Sequence, residues 1–243
     1  MIALEACINA DDVTQLAAGV EAAAQGGAAR IELCAAMADE GLTPALPAIM
    51  AARQAFSPAG LLVMIRPRAG DFCYSQTEFQ QMQSSIAMAA DAGADGVVLG
   101  MLNERQLLDL PRLRQLMQQC RRLQLQVSFH RAFDVLANPY PALEQLIDLG
   151  VKRLLTSGIP WGSEQGVLQG LPQLRQYQQR AAGRIELVIG GGVQLQNLPP
   201  ILAQLQSFNN MFSIHCYSAL LCQGRVDVNN VRRITRLCSG LSA

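Results

Sequence analysis

Strand-like and helix-like stretches alternate eight times along the 243 residues, and this alternation predicts an α/β fold: a (β/α)8 TIM barrel, formed by a single domain over residues 1–243. The strand-like runs are short and apolar, and they begin roughly thirty residues apart, which leaves room for one helix after each strand. No linker, low-complexity tract or shift in composition marks a second domain. A doubly wound open sheet is the weaker alternative.

Each predicted element rests on a local pattern. Apolar β-type runs predict strands at residues 2–8, 29–34, 61–66, 96–100, 125–130, 153–156, 185–189 and 211–216. Stretches with helical apolar spacing predict helices at residues 11–25, 44–55, 77–92, 111–122, 139–149, 164–180, 195–205 and 227–238. Several helices carry start or stop signals, namely Asp11, Thr43 with Pro44, Asn138 with Pro139, Gly93 and Gly150.

The composition favours a soluble protein with a small partner. Hydrophobic residues make up 50% of the chain and charged residues 16%, which suits a large α/β core and argues against disorder. The 19 basic and 19 acidic residues cancel, so we expect no nucleic-acid or membrane partner. No secretory signal or long apolar run is visible, and the seven cysteines show no paired spacing. We therefore expect a cytoplasmic protein whose cysteines are thiols.

The spacing Glu-x-Cys occurs twice, as Glu5 with Cys7 and as Glu32 with Cys34, each time at the end of a predicted strand. Residues two apart in a strand share a face, so neighbouring parallel strands would gather two carboxylates and two thiols at one end of the barrel. Paired thiolates in a reducing compartment favour Cu(I), whereas zinc normally takes four ligands. Cys7 and Cys34 are thus candidate metal ligands, and Glu5 and Glu32 are candidate acid/base groups.

Both histidines of the chain, His130 and His215, also fall at predicted strand ends. His130 suits a ligand or an acid/base group near neutral pH. Asp134, four residues on, is a candidate to hold the His130 ring in one tautomer. The alternative for Asp134 is a helix N-terminal cap.

Arg66 and Arg68 lie two residues apart at the end of the third predicted strand. On a shared face they could form bidentate pairs with a carboxylate or a phosphate. The alternative is that they neutralise Glu5 and Glu32 in the barrel mouth. Both interpretations stay open.

Gly190, Gly191 and Gly192 follow the seventh predicted strand, where many TIM barrels bind phosphate through backbone N–H groups. A tight turn into the next helix explains them equally well. The remaining polar residues near strand ends complete the candidate substrate-binding set: Asp71, Arg131, Ser157 and His215.

Taken together, these motifs resemble the copper homeostasis protein CutC family. The similar segments lie at residues 4–7, 30–34, 41–44, 64–68, 70–75, 129–134, 155–158 and 190–193. The resemblance implies a cytoplasmic TIM barrel associated with copper tolerance, a homo-oligomer such as a dimer, and a Cu(I) site at Cys7 and Cys34. It implies no organic cofactor. The chain departs from the family pattern at Ser213, where a glutamate is expected, and in a short connection over residues 219–226.

Two hypotheses follow for the function. The first is a copper homeostasis protein in which Cys7 and Cys34 bind Cu(I) and the two glutamates tune the site. The second is an enzyme on a small phosphorylated or carboxylated substrate, with Arg66 and Arg68 as the anion clamp. Its acid/base chemistry would come from the paired glutamates and His130.

Overall fold

The protein is a closed (β/α)8 barrel, as the sequence predicts. A computed structural model describes residues 2–205 and 211–240. In that range eight parallel strands pair in chain order, and β1 closes the ring by pairing with β8. The strands are β1 Ala3–Asn9, β2 Arg30–Cys34, β3 Leu61–Ile65, β4 Gly96–Leu99, β5 Gln126–Phe129, β6 Arg153–Thr156, β7 Glu186–Ile189 and β8 Phe212–Cys216.

One helix follows each strand and packs on the outside of the barrel. The helices are α1 Val13–Gln25, α2 Leu46–Ala55, α3 Gln76–Asp91, α4 Leu110–Arg122, α5 Pro139–Asp148, α6 Val167–Ala181, α7 Leu198–Leu205 and α8 Val228–Cys238. None of the helices in the described ranges is long and apolar enough to cross a membrane.

Local capping explains why α1 begins later than predicted. Asp12, not Asp11, caps α1 by accepting from the backbone N–H of Thr14, so the helix begins at Val13. The predicted stops at Gly93 and Gly150 are present, since both have a positive φ (84° and 79°) directly after their helices. These shifts affect only the helix bounds. The strand ends, and therefore the site, lie where the sequence predicts them.

The first two strands are staggered by two residues. In the register of β1 with β2, Cys7 lies level with Glu32, and Glu5 lies level with Arg30. Such a stagger is required to close strands into a barrel. As a result the two Glu-x-Cys motifs occupy different depths, and Glu5 lies one layer deeper than Glu32.

The barrel interior is apolar in the middle and charged at the end where the strands begin. A small apolar cluster inside the ring is separate from the main core and consists of Cys7, Cys34, Leu62, Met64 and Val98. The end where the strands begin is formed by the first residues of four strands, the charged Arg30, Arg153 and Glu186 and the neutral Gln126, which accepts from Arg153. We call these four residues the charged floor. They lie opposite the strand ends that carry the candidate residues.

The connection after β8 contains a hairpin. Its strands are β9 Leu221–Cys222 and β10 Arg225–Val226, and β10 contacts α1. Asp227 then caps α8 by accepting from the backbone N–H of Asn230. The short connection noted in the sequence is thus an ordered hairpin beside α1.

Candidate active site at the barrel mouth

A cavity of about 190 Å³ opens where the strands end. Seven of the predicted residues line it: Cys7, Glu32, Cys34, Arg66, His130, Arg131 and His215. Active sites of TIM barrels lie at this end, because loops and side chains from several strands meet there. The cavity is therefore the candidate active site.

The thiols of Cys7 and Cys34 face each other across β1 and β2. Their sulfur atoms lie 3.9 Å apart, and both residues are at most 2% exposed. The S–H···S contact lowers the pKa of Cys7 and raises that of Cys34 well above its ordinary value, because one proton held between two sulfurs favours a thiolate on one of them. The pair therefore loses its first proton more easily than a free cysteine does.

Glu32 and His215 form a buried ion pair beside the thiols. His215 Nε2 lies 2.5 Å from Glu32 Oε2. Burial lowers the pKa of His215, but Glu32 and Cys7 together outweigh it and hold the pKa well above its ordinary value. Burial raises the pKa of Glu32, but the charge and hydrogen bond of His215, with smaller contributions from Cys7 and His130, reverse that shift and lower the pKa. The ring is therefore an imidazolium, and it neutralises Glu32.

Two overlapping groups of side chains can hold a metal ion. Cys7, Glu32 and Cys34 place one ligand atom each within 4.8 Å of one another, and so do Glu5, Glu32 and His215. The first group combines soft sulfur ligands with one oxygen, a donor set suited to Cu(I). The second offers harder oxygen and nitrogen ligands.

Glu5 lies below the cavity rather than on its wall. Its carboxylate accepts from Arg30 Nε at 2.9 Å, and Arg30 also donates to Glu186 (2.6 Å) and to Ser213 Oγ (2.7 Å). Burial raises the pKa of Glu5, and Arg30 partly opposes that shift. Ser213, the departure from the family pattern, thus accepts from Arg30 of the charged floor. Sequence reasoning missed this arginine as the partner of Glu5.

His130 is not held by Asp134, which corrects the prediction. Its Nδ1 accepts from the backbone N–H of Ala132 at 3.1 Å, and its buried Nε2 has no hydrogen-bond partner. Burial, followed by the charge of Arg66, lowers the pKa of His130 to about 3. A ring with this pKa stays neutral at physiological pH, which corrects the expectation of an acid/base group near neutrality.

Asp134 instead accepts hydrogen bonds from Arg131 and from residues at the end of β6. It accepts from Arg131 Nε (2.8 Å), Thr156 Oγ1 (2.5 Å) and the backbone N–H and hydroxyl of Ser157. Arg131 also donates to Ser157 Oγ, and its guanidinium lies 4.9 Å from the ring of Trp161. Asp134 and Ser157 therefore position Arg131 at the cavity and do not line it themselves.

Arg66 and Arg68 do not form the predicted clamp. Arg66 lines the cavity and is 2% exposed, and it donates to the backbone carbonyls of Asp39, Gly41 and Gly70. Arg68 turns away, because β3 ends at Ile65 and the chain no longer alternates there.

The alternative interpretation, that Arg66 and Arg68 neutralise Glu5 and Glu32, is also wrong, because the two glutamates have other partners. Glu5 pairs with Arg30, and Glu32 pairs with His215. Arg68 binds Glu78 and Asp71 at 2.7 Å each, and the Asp71 side chain is 72% exposed. Neither arginine therefore neutralises Glu5 or Glu32, and Arg68 and Asp71 shape the loop outside the cavity.

The three glycines after β7 form a turn beside the cavity. Gly191 and Gly192 have positive φ angles of 85° and 88°. A Cβ at Gly191 would lie 2.6 Å from Cβ of Ser157, so the close approach requires glycine. None of the three glycines, Gly190, Gly191 and Gly192, lines the cavity. The tight turn is therefore sufficient to explain why glycine occupies these positions.

Six further residues line the cavity and were missed: Met37, Glu40, Met64, Phe72, Leu155 and Trp161. Met64 could have been predicted from the two-residue period of a strand, because it precedes Arg66 by two positions and shares its face. Trp161, the single tryptophan of the chain, was a further available signal. Met37 and Glu40 belong to a loop whose course no local pattern fixes.

The fold and the site thus define a TIM barrel whose mouth cavity carries a dithiol, an ion pair and a buried arginine. The model of the CutC family matches residues 2–215, and the chain belongs to the CutC family.

Relatives agree with this assignment. A family protein CutC of Bacteroides fragilis is 46% identical over 177 residues, which cover 73% of this chain and 68% of that protein. The copper homeostasis protein cutC homolog of Homo sapiens is 40% identical over 199 residues, 82% of this chain and 68% of that protein. A crystal structure of CutC from Streptococcus agalactiae superposes with a TM-score of 0.76 at 30% identity, covering 88% of this chain and 98% of that one.

Proposed function

We propose that this CutC family protein serves copper homeostasis in the cytoplasm by binding Cu(I) through the thiolates of Cys7 and Cys34. The observation that carries the proposal is the 3.9 Å separation of the two buried sulfurs on the cavity wall. Soft thiolate ligands select Cu(I) over harder ions. The human and mouse relatives are named copper homeostasis proteins, which supports the same assignment.

The charges around the thiols favour a bound monovalent cation. Two thiolates and one Cu(I) carry a net charge of −1, and the imidazolium of His215 lies next to them, paired with Glu32. Glu32 also falls within the same group of potential ligand atoms as both cysteines. Glu32 thus supplies an oxygen near the ion, while His215 limits the negative charge that accumulates in a buried place.

Titration of the reduced protein with Cu(I) in competition with a chelator tests the proposal. We expect Cys7→Ala and Cys34→Ala each to weaken binding at least about 100-fold, since removing groups that merely orient metal ligands already costs 10- to 100-fold. Cys120→Ala is the matched control, because Cys120 is a buried cysteine in α4, away from the cavity. Equal affinity of all three variants and the wild type would reject the proposal.

One observation favours a second candidate function, an enzyme that acts on a small anion. In the described residues no carboxylate lies within 4 Å of the Arg66 guanidinium, although this cation is buried on the cavity wall. A buried charge without a counter-charge is costly, and an anionic substrate would supply one. A thermal-shift screen of carboxylated and phosphorylated metabolites tests this candidate. We expect at least one anion to raise the melting temperature, and no shift with any of them would reject it.

The expected homodimer stays a prediction, and so does the absence of nucleic-acid and membrane partners. Each follows from the resemblance or from the balanced charge of the chain.

A further inference from the structure

The tautomer of His130 is fixed by its backbone contact. Nδ1 lies 3.1 Å from the backbone nitrogen of Ala132, and a backbone N–H can only donate. Nδ1 therefore carries no proton, and the proton of the neutral ring sits on Nε2. This Nε2–H is buried in a residue that is 4% exposed and lines the cavity, and it has no acceptor. An orphaned donor of this kind is a costly feature that a bound ligand would relieve.

Arg66 stands on the same wall of the cavity as His130. The ring of Phe72 contacts both, with its centroid 5.0 Å from the His130 ring and 5.2 Å from the Arg66 guanidinium carbon. The terminal nitrogens of Arg66 donate to backbone carbonyls, but its buried Nε has no hydrogen-bond partner, and its charge has no neighbouring carboxylate among the described residues. This wall thus presents one neutral donor and one cation.

The two thiols aside, the buried charged side chains of the cavity leave one positive charge unpaired. Glu32 and His215 neutralise each other, and Arg131 is paired with Asp134. Arg66 remains, and the only other charged residue of the lining, Glu40, is exposed to solvent. A single buried positive charge matches a carboxylate better than a phosphate monoester, which carries about −1.5 to −2 near neutral pH.

Glu32 adds an acceptor to this arrangement. Its Oε2 binds His215, but its buried Oε1 has no hydrogen-bond partner. A carboxylate ligand that also carried a hydroxyl group could donate to this oxygen. A cavity of about 190 Å³ has room for more than one water and suits an acid of a few carbon atoms.

We propose that the cavity binds a small hydroxy acid. Its carboxylate accepts from His130 Nε2–H and faces the Arg66 guanidinium, while its hydroxyl donates to Glu32 Oε1. This inference rests on the second candidate function and names its substrate class. It assigns His130 the role of a neutral hydrogen-bond donor, not that of a proton shuttle.

The test is calorimetric titration of the reduced, metal-free protein with glycolate and lactate. Acetate and propionate are the matched acids without the hydroxyl group, and inorganic phosphate is the competing anion. We expect glycolate or lactate to bind, the acids without a hydroxyl to bind about tenfold more weakly, and phosphate to bind more weakly than glycolate.

Two variants of His130 distinguish the roles of its two ring nitrogen atoms. His130→Asn keeps an amide oxygen close to the Nδ1 position, so it can still accept from Ala132, but it ends short of Nε2. His130→Gln extends a donor to about the Nε2 position. We expect the first to weaken glycolate binding about 10- to 100-fold, the worth of a hydrogen bond to a charged group, and the second to restore part of it.

The outcomes distinguish the inference from the candidate function. Glycolate that binds equally well to the wild type and to His130→Asn would overturn the inference. Tighter binding of phosphate than of glycolate would overturn the hydroxy-acid class while leaving a small-anion enzyme in place. If no carboxylated or phosphorylated compound binds, both fall, and the Cu(I) titration is unaffected.

Discussion

Replacing Arg30 with methionine is expected to destabilise the protein by about 3–5 kcal/mol, because it leaves a buried carboxylate without its cation. Glu5 is 1% exposed, and Arg30 is its partner at 2.9 Å. Arg30 also ties Glu186 to Ser213 across the charged floor. Urea unfolding of the wild type and the variant, with the slopes compared, measures the loss.

Two comparisons show whether the buried charge is the cause. Arg180→Met removes an ion pair with Glu144 in which the side chains are 50% and 31% exposed, and such pairs contribute at most about 1 kcal/mol. Adding Glu5→Gln to Arg30→Met removes the unpaired charge and should recover a large part of the stability. The loss should also shrink as the pH falls, because a Glu5 that lacks Arg30 takes up a proton in the folded state. Equal costs for Arg30→Met and Arg180→Met would contradict this account.

The second large effect concerns His130 and acid pH. Its pKa is about 3 in the folded protein, against 6.5 for an ordinary histidine. Between these two values the unfolded chain binds one more proton than the folded protein, so stability falls as the pH is lowered from 6.5 towards 3. The expected slope is about 1.4 kcal/mol per pH unit.

The variant His130→Asn isolates this contribution. It keeps an acceptor for Ala132 but cannot titrate, so the wild type should lose its advantage over the variant steadily between about pH 6 and pH 4. His215 does not interfere, because its raised pKa keeps it charged in the folded protein, and an ordinary histidine in the unfolded chain is also mostly charged below about pH 6. Denaturant unfolding at several pH values provides the measurement. If the stability difference between the two proteins stays constant over this range, His130 is not buried as a neutral ring.

The fold could be predicted because the period of strands and helices is a property of the sequence alone. The depth of a side chain inside the barrel is not. Glu5 and Glu32 have the same local motif, yet the two-residue stagger between β1 and β2 places Glu32 on the cavity wall and Glu5 against the charged floor. Stagger depends on how eight strands close together, and no single strand encodes it.

Residues just past a strand end were harder to predict than those within it. Cys34 and His215 end or lie in strands, where alternation fixes the face that they occupy. Arg68 and Asp134 follow strand ends, where alternation stops and the loop decides the direction of the side chain. The hydrogen bonds of those loops, such as that from Arg68 to Glu78, join positions whose proximity the sequence does not show.

The filled interior above the charged floor limits how a ligand can enter and leave the cavity. Between the charged floor and the mouth, the barrel is filled by side chains such as Leu62, Val98 and Ser128, each at most 2% exposed. On the side of the charged floor, the cavity is therefore closed by buried side chains of the described residues. A ligand bound there as proposed would leave through the mouth by which it entered. A donor and an acceptor of that ligand would then bind this protein in turn, not at the same time.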